Sequence, residues 1–328
     1  MGAGLVSVDW RFGADDLARL RFAFSPMWEL VASLRVLHAP ARHSVHLPWI
    51  RALRPRLAAL DLSELLALVP AHGYMADFLT PPPDTPLPDF AAELARVREA
   101  APEKAAEEAG WVDTPDRRAI ARFQADPAEG VRRVAGTLAV YWELALEEFW
   151  PRVYGLLEAD LMWRSRRLAT GGARELFADL HPAVRWHGDR LTTGTGAGAW
   201  CHTGDLGGDG LLLVPSVFRW PDIATMSEPY QAMLVYPARG VGTLWEAGPP
   251  PAPEALAALI GRTRAQILLS LCRPASTTAL ARRMSLTPGA VSQHLSVLSG
   301  NGLVTRRRMV REVLYRRTST GDALVSGS

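Results

Sequence analysis

A short proline-rich run divides this chain into two parts. Residues 248–253 of the 328 read Gly-Pro-Pro-Pro-Ala-Pro. Each proline lacks an amide donor and restricts the residue before it, so such a run acts as a semi-rigid spacer between structured regions. We therefore expect two domains, residues 1–247 and residues 254–320, each with a hydrophobic core of its own.

Charge is distributed unevenly between these parts. Residues 262–317 contain eleven arginines and one acid, a net charge of +10, whereas residues 1–261 carry a net charge of −7. A basic segment of this kind is the electrostatic signature of a surface that binds a polyanion. The partner of the C-terminal part is therefore expected to be strongly acidic.

The cysteine count and the start of the chain indicate the compartment. Cys201 and Cys272 are too few for a disulfide framework and have no metal-ligand spacing. The first residues lack the basic segment and apolar run that export requires, and no stretch of 18 apolar residues occurs. We expect a cytoplasmic protein with no membrane segment, no metal and no cofactor.

The predicted secondary structure of the first 247 residues changes along their length. Residues 1–170 are expected to be helical, because apolar residues recur at helical spacing over residues 15–37, 49–69 and 90–168. Residues 180–247 are expected to be β-rich, because short apolar runs alternate with glycine, proline and aspartate. The predicted strands of this small sheet are residues 210–218, 232–236 and 241–245.

The C-terminal part has the pattern of three helices. A first helix carries Ile267, Leu268 and Leu271 on one face. The segment TALARRMS predicts a second helix, which Thr277 and Thr278 can cap. After the turn LTPG, Thr287 is placed to cap a third helix with Pro288 in its first turn.

The third helix has the two faces of a recognition helix. Val291, Leu295 and Leu298 are spaced to pack inward. The opposite face carries small residues and Gln293, whose amide can both donate to and accept from a base edge in the major groove of DNA. Gly302 ends this helix, and LVTRRR and EVLYRR then predict the two strands of a basic wing.

The quoted segments resemble the ArsR-type winged-helix repressors over some 65 residues. The resemblance lies in LARRMSLTPGAVSQHLSVLSGNGLVTRRR followed by VLYRRTSTG, with Val310 where the family usually has a glycine. FSPMWEL, DFLTPPP, LVPSVF and YPARG are similar to the longer ArsR-like regulators. The resemblance implies an α+β, mainly α chain with a large N-terminal helical domain, a small sheet region and a C-terminal winged helix-turn-helix.

The residues expected to contact double-stranded DNA lie at the start of the second helix, in the turn, on the third helix and in the wing. They are Thr277, Thr287, Gly289, Ser292, Gln293, His294, Ser296, Arg306, Arg307, Arg308 and Arg311. A winged helix used for protein contacts is the alternative, although it would not require so high a positive charge.

The resemblance implies a transcriptional repressor, and a homodimer is expected because paired recognition helices read two half-sites about one helical turn apart. No enzyme is expected, because the sequence offers no nucleophile, metal cluster or cofactor loop. The Cys-x-Cys pair with which many family members sense metals is missing from TTALARRMS, and His38, His43 and His46 lack acidic or cysteine neighbours in a metal-binding pattern.

The N-terminal part is expected to bind a ligand or a partner. Aromatic residues with apolar neighbours, such as Trp142, Trp150 and Trp163, are interpreted as core, and a cavity lined by them for a small apolar ligand is the alternative. Two alternatives stay open for this part, a protein-binding domain and an enzyme domain tethered to the DNA-binding module.

Overall fold

The structure, a computed structural model, describes residues 6–194, 200–245, 253–271, 274–284, 286–309 and 312–326. These residues form an N-terminal unit that ends at Trp245 and a separate C-terminal unit. The chain is α+β and mainly α, with several small sheets. No helix in the described ranges has both the length and the apolar character needed to cross a bilayer.

Nine helices occur in the described part of the N-terminal unit. They are α1 (Ala14–Ala18), α2 (Pro26–His38), α3 (Leu47–Leu53), α4 (Ser63–Leu68), α5 (Phe90–Arg98), α6 (Pro102–Trp111), α7 (Arg117–Ala125), α8 (Pro127–Ala145) and α9 (Trp150–Phe177). Local signals set many of their starts: the side chains of Asp89, Asp116 and Asp126 accept backbone N–H groups in the first turns of α5, α7 and α8.

The described strands of the N-terminal unit form two four-stranded sheets. They are β1 (Val6–Arg11), β2 (Arg21–Phe22), β3 (Val184–His187), β4 (Arg190–Thr193), β5 (Trp200–Asp205), β6 (Leu212–Ser216), β7 (Ala224–Met226) and β8 (Met233–Pro237). The strand orders are β3-β4-β1-β5 and β2-β6-β8-β7. Strands β6 and β8 are parallel, central and buried on both faces, which explains their continuous apolar sequence.

Three expectations for the N-terminal part are wrong. Residues 1–170 are not purely helical, because β1 pairs with β4 and β5. The helix expected over residues 15–37 is interrupted by β2, because Arg21 and Phe22 pair with β6, and Leu17 is 43% exposed. The strand expected over residues 241–245 is instead a 3₁₀ turn, Val241–Thr243. The second error arises because pairing with a distant strand overrode the local helical spacing of residues 15–37.

Helix α2 lies at the centre of the larger core and is buried on almost every side. A helix in such a position must satisfy its polar groups internally. The carboxylate of Glu93, on α5, accepts the Ser25 hydroxyl and the Met27 N–H at 2.8 Å each, and Ser25 accepts the Trp28 N–H at 3.0 Å. The first turn of α2 is therefore held by a buried carboxyl from another helix.

The buried Glu93 carboxyl makes the stability of this unit depend on pH. Burial raises the pKa of Glu93 to about 7, from 4.5, although its hydrogen bonds with Met27 and Ser25 oppose the rise. The folded protein thus retains a proton that the unfolded chain releases, and the resulting stabilisation is full below about pH 4.5 and lost as pH rises through 7.

We therefore expect the stability advantage of the wild type over Glu93→Gln to shrink with rising pH. Between pH 5 and pH 8 it should fall by on the order of 2–3 kcal/mol, since glutamine does not titrate. Urea denaturation followed by tryptophan fluorescence measures this unit selectively, because all eleven tryptophans precede residue 246. An advantage that stays constant or grows with pH would show that Glu93 is ionised throughout.

The described C-terminal unit contains five helices and a three-stranded sheet. They are α10 (Pro253–Ile260), α11 (Arg262–Ser270), β9 (Ala275–Ser276), α12 (Thr277–Met284), α13 (Pro288–Gly300), β10 (Val304–Met309), β11 (Glu312–Arg317) and α14 (Ser319–Ser326), with strand order β10-β11-β9. Ile267, Leu268, Leu280, Leu295 and Val304 form the centre of a separate core.

Helix α14 closes this core and was not anticipated from the sequence. Leu324 and Val325 pack against the core, and Asp322 pairs with Arg317 of β11 at 2.8 Å. A Cβ on Gly321 would lie 2.1 Å from the Leu303 carbonyl oxygen, so the close contact requires glycine. Arg317 of the basic segment therefore forms an ion pair with α14.

Candidate nucleic-acid interface

Side chains and backbone together set the position of α13. The Thr287 hydroxyl accepts the Ala290 N–H at 3.3 Å, and Pro288 occupies the first turn. At the other end Gly302 has φ +70°, and the N–H groups of Gly302 and Leu303 donate to Ser299 and Leu298 at 3.0 and 2.9 Å. This is a Schellman motif, which satisfies the last carbonyls of the helix.

The cap of α12 differs from the expected one. The Ser276 hydroxyl accepts the Ala279 N–H at 3.4 Å, so Ser276 is the capping residue. Thr277 is instead the first residue of the helix and is half-buried. The reason is that Ser276 also pairs with Leu314 in the sheet, which fixes the extended backbone that a cap needs one residue earlier.

Helix α13 has one buried and one exposed face. Val291, Leu295 and Leu298 are at most 1% exposed and anchor the helix in the core. The exposed positions expected to contact DNA are Gly289, Ser292, Gln293 and Ser296, whereas His294 is half-buried. The Ser296 hydroxyl donates to the Ser292 carbonyl at 3.0 Å, so its proton is used within the helix. Gln293 has the longest polar side chain among these exposed positions.

The wing is the antiparallel pair β10 and β11. Its register places Arg306 opposite Tyr315, Arg307 opposite Leu314 and Arg308 opposite Val313. Arg306 is exposed. Arg311, expected to contact DNA near the wing tip, and Val310 lie outside the described residues.

Two further arginines of the basic segment are exposed, Arg282 on α12 and Arg316 on β11. Arg316 lies opposite Thr305 in the register, and therefore on the other face of the wing from Arg306. Neither is among the residues singled out in the sequence analysis. Strand alternation counted from the inward residue Val304 could have identified Arg316.

The histidines considered as a metal site are used in packing. The His46 ring accepts the Trp245 indole N–H on Nδ1 at 2.8 Å and donates from Nε2 to the Val217 carbonyl at 3.1 Å. Burial lowers the pKa of His46 to about 3, which keeps this ring neutral. Within the described ranges, no three His, Cys, Asp or Glu side chains come together as metal ligands would.

The aromatic residues considered as a ligand cavity also pack against each other. Trp142 stacks on Phe90 with 4.3 Å between ring centroids, and Trp150 lies 5.4 Å from Trp142. These rings contribute to the larger core. Trp142 and Trp150 are therefore packing residues of this core, and they do not line a cavity.

Comparisons with known proteins agree with the geometry of the C-terminal unit. A family model described as a helix-turn-helix domain matches residues 259–307. Reduced HlyU from Vibrio cholerae is 29% identical over an alignment that covers 23% of this chain and 83% of that chain, with a TM-score of 0.20. The comparison with curated proteins gives no match. The C-terminal unit thus contains a helix-turn-helix domain.

Proposed function

We propose that this protein is a homodimeric, sequence-specific transcriptional repressor. It would belong to the longer ArsR-type regulators, which carry a large N-terminal domain before the winged helix. The observation that supports the proposal best is α13, whose buried leucines fix a helix that exposes glycine, serine and glutamine. Small exposed residues allow the backbone to approach the major groove, where a glutamine amide recognises adenine. Exposed arginines on α12 and the wing supply phosphate contacts.

The contacts expected at bases and at phosphates differ in kind. Gln293 is assigned to a base edge, Gly289 and Ser296 to close approach of the helix, and Ser292 to a phosphate. Thr277, Thr287, His294 and the wing arginines are assigned to the phosphate backbone, which positions a protein without reading sequence. Base contacts therefore give the specificity of this regulator, and arginines give most of its affinity.

The N-terminal unit is proposed to bind a ligand or partner in the cytoplasm rather than to catalyse a reaction. A ligand can change DNA binding only if it binds the DNA-competent and incompetent states with different affinity. Dimerisation is part of the proposal because paired recognition helices read two half-sites about one helical turn apart. Light scattering that gives a monomer at DNA-binding concentrations would exclude the dimer.

The test compares Gln293→Ala with Arg306→Ala on a site selected from sheared genomic DNA by the full-length protein. Gln293→Ala is expected to weaken binding to that site by about 1–3 kcal/mol and to relax the preference at one base position. Arg306→Ala is expected to weaken specific and random DNA alike and to reduce the salt dependence by about one counterion.

Fluorescence anisotropy at several salt concentrations measures both effects. Exposed Ser319, on α14, provides a matched control, because Ser319→Ala lies outside the proposed contacts and should leave binding unchanged. If Gln293→Ala binds like the wild type, α13 is not the recognition helix. If the protein enriches no sequence from genomic DNA, specific regulation by this protein alone is excluded.

A further inference from the structure

Three arginines of the N-terminal unit lie around one carboxylate. Arg35 is at the end of α2, Arg42 follows it in a 3₁₀ turn, and Arg219 and Asp222 are in the loop after β6. Arg42 donates to Asp222 at 3.4 Å, and the adjacent His43 ring contacts the Trp220 carbonyl at 2.8 Å, so the 3₁₀ turn and the loop are in contact. The cluster carries more positive than negative charge.

Two of these guanidinium groups, those of buried Arg35 and half-buried Arg219, lack complete hydrogen bonding. Arg35 is 7% exposed and donates from one Nη to the Gly73 carbonyl at 2.6 Å. Arg219 donates from one Nη to the Ile223 carbonyl. Among the described residues, the Nε atoms of both arginines are buried and have no hydrogen-bond partner. An unpaired buried donor on a charged group costs more than one on a neutral group.

Their charges also act on each other. Burial and, to a smaller extent, the neighbouring charge of Arg219 lower the pKa of Arg35 to about 9, while Asp222 opposes the change. Burial likewise lowers the pKa of Arg219 to about 10. Buried charges in proteins are normally paired. Arg35 and its electrostatic neighbour Arg219 lack a full counter-ion, because the carboxylate that acts on both, Asp222, is half-exposed and pairs with Arg42 at 3.4 Å.

We propose that the Arg35 and Arg219 guanidinium groups bind the oxyanion of a small acidic molecule, a carboxylate or a phosphate. Guanidinium groups present planar pairs of N–H donors that match either oxyanion, and such charge-assisted hydrogen bonds are short and strong. Trp220, 36% exposed, and the half-exposed side chains of Arg42 and Asp222 belong to the same 3₁₀ turn and loop and reach solvent. As the effector site of a regulator this site rests on the proposed function, whereas anion binding itself does not.

Thermal unfolding of the full-length protein tests the site, with inorganic phosphate and succinate as probes and sodium chloride at equal ionic strength as the reference. Tryptophan fluorescence reports only the N-terminal unit, so anion binding to the basic C-terminal unit does not contribute. A ligand that binds the folded state raises the midpoint temperature. We expect a saturable rise of a few degrees with at least one probe, and the stronger probe identifies the class of oxyanion.

Matched variants decide whether the rise comes from this site. Arg219→Gln is expected to lose the rise, whereas Arg132→Gln, an exposed arginine on α8, keeps it. If Arg219→Gln does not fold, Arg219→Lys keeps the charge but lacks the Nε donor and should weaken anion binding at least tenfold. The proposal is overturned if the wild type shows no saturable rise, or if the folded Arg219 variant responds like the wild type.

The same samples separate this result from the proposed function. DNA binding is measured by anisotropy in the absence of either probe, and it depends on the C-terminal unit. A protein that binds phosphate or succinate but no DNA would refute the regulator and keep the anion site. The reverse outcome would refute the anion site alone.

Discussion

Replacing Glu29 by alanine is expected to lower the free energy of unfolding of the N-terminal unit by about 2–6 kcal/mol. Glu29 is fully buried on α2. One carboxylate oxygen accepts the Val217 N–H at 2.7 Å, and the other accepts the Phe218 N–H at 3.1 Å and the Ser216 hydroxyl at 2.9 Å. Alanine leaves two buried backbone donors without a partner, and each costs about 1–3 kcal/mol.

Urea denaturation followed by tryptophan fluorescence measures this loss. The matched control is Glu148→Ala, because the Glu148 side chain is 67% exposed and its ion pair with Arg56 lies at the surface. Such pairs contribute about 0–1 kcal/mol. A loss for Glu29→Ala no larger than that for Glu148→Ala would show that the loop after β6 finds other acceptors, and that Glu29 does not hold it.

Replacing Leu295 by alanine is expected to destabilise the C-terminal unit by about 2–5 kcal/mol and to abolish DNA binding. Leu295 is completely buried in the core beneath α13. The loss combines the transfer of the removed side-chain carbons with the cavity that remains. The exposed face of α13 is ordered only while its buried face is anchored, so recognition should be lost together with stability.

Hydrogen exchange of peptides within residues 288–300 measures the opening of α13 directly. Val297→Ala on the same helix is the control, because Val297 is 40% exposed and surface substitutions usually change stability by at most about 0.5 kcal/mol. Tryptophan-detected unfolding should be unchanged in both variants. Wild-type protection of α13 in Leu295→Ala would contradict the assigned core.

The two units differ in how well their sequences predict them. In the C-terminal unit, Thr287, Pro288 and Gly302 act within one or two turns of the helix that they start or end. Local reasoning therefore located α13. It failed at α12, where the pairing of Ser276 with β11 moved the cap by one residue, and it missed α14.

In the N-terminal unit the local pattern was less informative. Residues 15–37 have helical spacing, yet Arg21 and Phe22 form a strand because β6 offers backbone partners. The continuous apolar sequences of β6 and β8 did predict strands, because strands that are buried on both faces need apolar residues at successive positions. The spacing of apolar residues does not show which strand each of these strands pairs with.

The sequence alone determined the helix-turn-helix and its charge, because caps, turns and apolar spacing act between residues close together in the chain. Only the tertiary structure decided the roles of the polar residues on α2. Glu29 reads as an ordinary first-turn acid, but its acceptor role depends on the backbone of residues 217 and 218, which are 188 and 189 positions away. Likewise Arg35 and Arg219 are brought together by folding, and burial then makes their unpaired donors significant.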